Sequence, residues 1–127
     1  MIDGYFSSVE FASKDGKPSP HGPMNVKPGL LILLNKIRAA YGKPIVVNSG
    51  YRSPEHNAEV GGVENSFHVQ GLAADIRPLD KNKDDLLDLY MICNKLNPVG
   101  GVGYYDTFIH VDARGYGARW GSIKDGD

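Results

Sequence analysis

The sequence predicts an α+β fold, a small and mainly antiparallel sheet with helices packed against it. Three observations carry this. Two long segments repeat apolar residues at helical spacing, several short runs are dense in Val, Ile and small residues, and clusters of Gly, Pro, Asn and Ser separate them. In order, the segments read helix, helix, strand, short helix, strand, helix and then strands.

Ser7 and Glu10 have capping-box spacing, which predicts a short helix over "SSVEFA". Residues 14–28 are rich in proline and read as a surface loop. In "NVKPGLLILLNKIRAAYG", Leu30, Leu34, Ile37 and Tyr41 recur on one helical face, Pro28 suits the first turn and Gly42 the stop. Leu31, Ile32 and Leu33 widen that apolar surface and mark the helix as central. "KPIVVNSG" reads as a buried strand ending at Asn48–Gly50. Ser53 and Pro54 open a short helix that Gly61 and Gly62 close. "LAADIRP" is a second strand. Residues 82–96 form a second long helix with Leu86, Leu89, Tyr90, Cys93 and Leu96 on one face. "GGVGYYDTFIHVDARG" supplies two strands or a bent hairpin, Trp120 folds the C-terminal arm back onto the body, and the tail after it is loose.

At 127 residues the chain suits one domain, with a core over 5–120 and a tail at 121–127. A net charge of −1 provides no basic face for nucleic acid. No run approaches the ~20 apolar residues of a membrane span. Cys93 is the single cysteine, so no internal disulfide can form, and it reads as a small buried hydrophobe. The N-terminus lacks the basic region and apolar run of a signal peptide. Synthesis in the cytoplasm, with release by lysis or delivery in a phage particle, is the expectation, as is a monomer.

Two stretches set polar residues against this apolar pattern. "SFHVQGLAAD" carries Asp75 into a strand whose neighbours are core, and "FIHVDARG" places His110 between carboxylates. If the second stretch is one strand, Asp106, Phe108, His110 and Asp112 share a face opposite Thr107, Ile109 and Val111. An ionised aspartate inside an apolar strand costs several kcal/mol unless it is paired or coordinated. Two imidazoles and a carboxylate with a fourth position for water make a catalytic zinc set. The competing reading is a hydrogen-bonded core histidine and a turn-capping aspartate, without metal.

"SGYRSPEHNAEVGGVENSFHVQGLAAD" followed by "GGVGYYDTFIHVDARG" resembles the M15 zinc peptidases, the D-alanyl-D-alanine carboxypeptidase family, and within it the short single-domain branch of bacteria and tailed phages. The family's Ser-x-His-x-x-Gly-x-x-x-Asp pattern is matched by Ser66, His68, Gly71 and Asp75, and its later ligand by His110. The resemblance implies a fold like that of the DD-peptidases and the hedgehog signalling domain. It also implies one Zn2+ ion on His68, Asp75 and His110, with peptidoglycan stem peptides as substrate, cut next to D-amino acids by a carboxypeptidase or endopeptidase.

Arg52 matches an arginine that many relatives present at the active site, there to clamp a carboxylate or stabilise an oxyanion. Its structural alternative is pairing with Glu55 or Glu59. Ser66 either binds substrate or shapes the turn. Relatives place an acid three residues before the last ligand or a histidine two before it, where this chain has Thr107 and Phe108. That leaves Asp112 and Asp106 as candidates for the general base, or Asp112 as a support behind His110. The same departure favours the alternative of a catalytically inactive zinc-binding structural or interaction domain. His56 reads as structural, His21 as solvated and Gln70 as an exposed turn residue. Tyr104 and Tyr105 read as either groove wall or core.

Overall fold

The computed structural model describes residues 4–121. Near its start, the Ser7 N–H donates to Glu10 Oε2 at 2.7 Å, as the capping spacing requires. The result is a single 3₁₀ turn, Ser8–Phe11, rather than a longer helix, and it drives Phe11 fully into the core. Helix α1, Pro28–Tyr41, buries Leu30, Leu31, Leu34, Ile37 and Tyr41. It stops at Gly42, whose φ of 77° is left-handed and whose N–H reaches Arg38 O. The apolar surface is narrower than the unbroken run of leucines and isoleucine implies. Ile32 is 50% exposed, because two residues of helix turn it away from the face that Leu30 and Leu34 bury.

Helix α2, Pro54–Glu59, is capped by Ser53 Oγ, which accepts the His56 N–H. Helix α3, Lys83–Leu96, is capped by Asn82 and buries Leu86, Leu89 and Cys93. Helices α1 and α3 pack on each other, and α3 covers strands of the sheet. Among the described residues, no helix is long and apolar enough to cross a membrane.

Strands β1 (Ile45–Ser49), β2 (Ala73–Pro78), β3 (Gly101–Tyr104), β4 (Ile109–Asp112) and β5 (Ala118–Gly121) form one sheet in the order β1-β2-β4-β3-β5. All neighbours are antiparallel except β3 and β5. The fold is therefore α+β with a mainly antiparallel sheet. Strand β5 is a correction to the sequence reading, which placed the C-terminal arm without a strand. "ARWG" is too short to show alternation, and its strand character comes from pairing with β3 alone. Gly121 closes β5, so it is not part of a loose tail; the rest of that tail lies outside the described residues.

Register determines which side chains share a face. Val47, Ile76, Ile109 and Tyr104 follow one another across the sheet, as do Ala74, Val111 and Val102, and these residues meet the helices in the core. A second row runs Ser49, Asp75, His110, Gly103, Trp120 on the opposite face. Ser49 joins it because the β1–β2 register shifts between Val47 and Ser49, leaving Asn48 as the extra residue that reverses the alternation. Gly103 joins without a side chain, since a Cβ there would collide with the Trp120 indole.

Candidate metal centre

Asp75 and His110 are directly paired residues on β2 and β4, and their side chains rise together from the second row. His68 comes from the turn just before β2. The Arg52 N–H and Gly71 N–H both donate to His68 O, and Gly71 takes the φ of 72° that the turn needs. His68 Nε2 lies 3.3 Å from Asp75 Oδ1, and His110 Nδ1 lies 3.0 Å from the same oxygen. One ligand atom from each of the three residues falls within 4.8 Å of the others. Zinc bonds of about 2.0–2.1 Å in tetrahedral array put ligand atoms about 3.3 Å apart, so the cluster has the right size.

The hydrogen bonds behind the rings suit the cluster to a cation. His68 Nδ1 is 2.8 Å from Gly50 O, which can only accept, so Nδ1 carries the proton and the neutral ring turns a bare Nε2 toward Asp75. His110 Nε2 is 2.8 Å from Asp112 Oδ2, and the same reasoning turns a bare Nδ1 inward. Three lone-pair donors thus converge in a place where His68 and Asp75 are 4% and 8% exposed. Without positive charge among them they would repel; a divalent ion fits the set. Burial alone would depress the His110 pKa, yet the Asp112 and Asp75 carboxylates outweigh it and hold the ring above its ordinary value in the metal-free chain. Burial likewise opposes ionisation of Asp75, but the two imidazoles prevail and keep its carboxyl below the usual range.

Asp112 is fully buried and every acceptor position is taken. Oδ1 accepts from Gly101 N–H at 2.9 Å, Arg114 N–H at 3.2 Å and Arg114 Nε at 2.8 Å; Oδ2 accepts from Arg114 Nη2 at 2.7 Å and from His110. Arg114, which the sequence reading overlooked, is in turn ringed by Phe67, Trp120 and Tyr116, with its guanidinium carbon 4.6, 5.1 and 5.5 Å from their centroids. Burial opposes ionisation of Asp112, while Arg114, His110 and the Gly101 N–H keep its pKa well below the usual range. Both oxygens of Asp112 are thus engaged, and Oδ2 lies directly behind the His110 ring.

The placement of Asp106 on the His110 face needs correction. The Tyr105 N–H donates to Phe108 O, so residues 105–108 form a tight turn and the alternation counted back from His110 stops at Ile109. Asp106 is exposed and lines a separate groove of about 550 Å³ with Asn48, Arg77, Lys81 and Thr107.

A groove of about 500 Å³ opens over the cluster, with Arg52, Arg114, Phe67, Phe108, Tyr105 and Trp120 among its walls. Tyr105 stacks on Phe108 at 4.5 Å and accepts the Trp120 Nε1–H at 2.8 Å, while Trp120 lies 5.1 Å from the His110 ring. Tyr104 instead packs on Tyr90. Arg52 pairs with neither Glu55 nor Glu59. Its Nη2 stands 3.6 Å from Asp75 Oδ2, with Nε and Nη1 donating to Ser49 Oγ and Asn57 Oδ1. Ser66 lines the groove, yet its hydroxyl is engaged in the turn, donating to Asn57 Oδ1 and accepting the Val69 N–H. Gln70 donates to Asn65 O.

His56 faces Glu59 at 3.7 Å, in keeping with a structural role. His21 is not free in solvent: its Nε2 bonds Val69 O at 2.8 Å and its ring meets Tyr51 edge-on, buttressing the turn that carries His68. No local signal marks His21, because its partners are some 30 to 48 residues away. Arg114 had a readable cue in its position two residues after Asp112.

The match to a family model described as Peptidase M15 extends over residues 5–112. A 44-residue stretch is 52% identical to the zinc D-Ala-D-Ala carboxypeptidase of Streptomyces albus G, covering 34% of this chain and 17% of that protein. This chain thus matches well under two thirds of that relative's length. The family match includes the His68 turn, the Asp75 strand and the His110 strand whose donors converge here. The chain belongs to the M15 peptidase family.

Proposed function

We propose that this chain is a zinc-dependent peptidase that hydrolyses bonds next to D-amino acids in the stem peptides of bacterial peptidoglycan. The observation that carries the reading is the convergence of one ligand atom each from His68, Asp75 and His110 within 4.8 Å of one another. The name of the Streptomyces relative supports the choice of metal and of substrate class. One zinc ion would be held by these three residues, and when bound it supplies Lewis acidity toward a peptide carbonyl and toward water.

The chain's own groups do the rest. Gly50 O and Asp112 fix the two imidazole tautomers, so neither ring has to reorient to bind. Arg52 presents a guanidinium edge beside Asp75, where it can meet a substrate carboxylate or the oxygen that gains charge during attack. The aromatic wall of Tyr105, Phe108 and Trp120 excludes water from one flank of the groove.

A second reading has one observation in its favour. Among the described groove residues, Asp75 is the single carboxylate, Asp112 is saturated, and Asp106 faces elsewhere. A chain without a proton acceptor beside the metal would serve as a zinc-stabilised interaction domain. Purified muropeptides incubated with the zinc-loaded and the chelated protein separate the two, with released fragments identified by mass spectrometry. Zinc-dependent release of fragments ending at a D-residue is the expected result. One bound zinc with no release would favour the interaction domain.

A further inference from the structure

Asn57 lies on α2, outside the metal cluster, and the peptidase reading gives it no task. It is 3% exposed, and both ends of its amide are engaged. Oδ1 accepts from Arg52 Nη1 at 3.3 Å and from Ser66 Oγ at 3.1 Å, while Nδ2 donates to Val63 O at 2.7 Å. The main chain adds a further tie, with the Gly62 N–H donating to Asn57 O at 2.8 Å. Gly62 leaves room for this approach, since a Cβ there would collide with the Asn57 amide and crowd the Arg52 guanidinium.

Each side-chain tie ends at the groove. Arg52 reaches Asp75, Ser66 holds the Val69 N–H next to His68, and Val63 is part of the groove wall. Arginine carries many rotamers, and its contact with Asp75 at 3.6 Å is longer than a hydrogen bond. Its direction is therefore set from behind, by Ser49 Oγ and Asn57 Oδ1.

We propose that Asn57 is a positioning residue for this groove: it aims Arg52 along the outer edge of Asp75 and pins the 62–66 wall in the same act. Its contribution to turnover rests on the peptidase reading; its hold on Arg52 does not.

The test compares Asn57→Ala, Asn57→Asp, Arg52→Ala and the Asn57→Ala/Arg52→Ala double variant, all as the full chain with zinc added. The first readout needs no hydrolysis: the Nε–H resonance of Arg52 in 15N-labelled protein, assigned by its loss in Arg52→Ala. In Asn57→Ala, where Ser49 Oγ remains as the hydrogen-bond partner of Nε, it should shift toward the position of a free arginine side chain while zinc content stays at the wild-type level. In Asn57→Asp, which keeps an acceptor for Arg52 but replaces the donor to Val63 with a carboxylate oxygen and adds a negative charge, it should not move toward the free-arginine position. The second readout is kcat/KM on muropeptides, expected to fall on the order of 10-fold to 100-fold in Asn57→Ala. In the Arg52→Ala background the same change should cost less than about 2-fold, because both act through one group. An unmoved Arg52 resonance in folded Asn57→Ala, one at the free-arginine position in folded Asn57→Asp, or additive kinetic losses would each overturn the proposal. A wild-type protein that hydrolyses nothing would overturn the peptidase reading instead, and the resonance would still decide the role of Asn57.

Discussion

The two faces of the sheet use the same strands to opposite ends. On one, Val47, Ile76, Ile109, Val111 and Val102 are buried against helices and need no partner beyond one another. On the other, the buried Asp75 and Asp112 and the partly buried His110 lie among polar groups, with Arg52, Arg114 and main-chain groups as their partners. A substitution on the core face removes contact area, so its cost falls on stability. A substitution on the polar face unbalances charge, so its cost falls on metal binding and chemistry first.

The largest expected effect breaks the comparison from the polar side. His68→Ala or His110→Ala should reduce bound zinc to trace levels by elemental analysis and muropeptide release to background, with the circular dichroism of the fold retained. A variant that still binds one zinc tightly would show that the ligands lie elsewhere. Next is Asp112→Asn, which leaves the buried face of Arg114 without its counter-charge. A loss of about 3–5 kcal/mol in urea unfolding is expected, with zinc affinity about 10-fold to 100-fold weaker by chelator competition. A loss in affinity with no loss in stability would mean that Arg114 finds another partner.

From the core side, Ile76→Ala or Ile109→Ala should cost about 2–5 kcal/mol in stability while the folded protein keeps its zinc. Loss of metal from a folded Ile76→Ala would erase the distinction between the faces. The smallest change is Ile32→Lys on α1. With half of Ile32 already in solvent, stability should move by no more than about 0.5 kcal/mol. A loss near that of a core residue would restore the wider apolar face expected of this helix.

Acidity sharpens the same contrast. His110 has a raised pKa in the metal-free protein, so its stabilising contribution is complete below its ordinary 6.5 and disappears as pH rises through the raised value. Asp75 and Asp112 have lowered values, so theirs is present above 3.8 and disappears as pH falls through them. The metal-free form therefore loses its compensating proton toward neutral and alkaline pH, where zinc binds best to deprotonated ligands. The difference in Tm between zinc-loaded and metal-free protein should widen from about pH 5.5 to about pH 8. A constant difference would mean that metal and proton do not compete for one place.

The core face was legible because burial imposes periodicity. Leu30, Leu34 and Ile37 announce α1 at helical spacing, and Ile109 and Val111 announce their strand by alternation. Of the polar face, the unusual residues were visible but not their company. Asp75 and His110 stand opposite each other only through a register between strands 35 residues apart in sequence. The bulge at Asn48 and the parallel pairing of β5 are likewise set by long-range hydrogen bonds, while the turn that diverts Asp106 rests on the local bond from Tyr105 N–H to Phe108 O. Asn57 and His21 left no mark, since a buried amide or imidazole has no periodicity of its own.

The most direct test of the shared cation is anomalous diffraction at the zinc edge from crystals of the zinc-loaded chain. The expected result is one strong peak within about 2.0–2.2 Å of His68 Nε2, Asp75 Oδ1 and His110 Nδ1. A zinc-replete crystal with no peak among these three atoms, or with its zinc bound by other residues, would contradict the account.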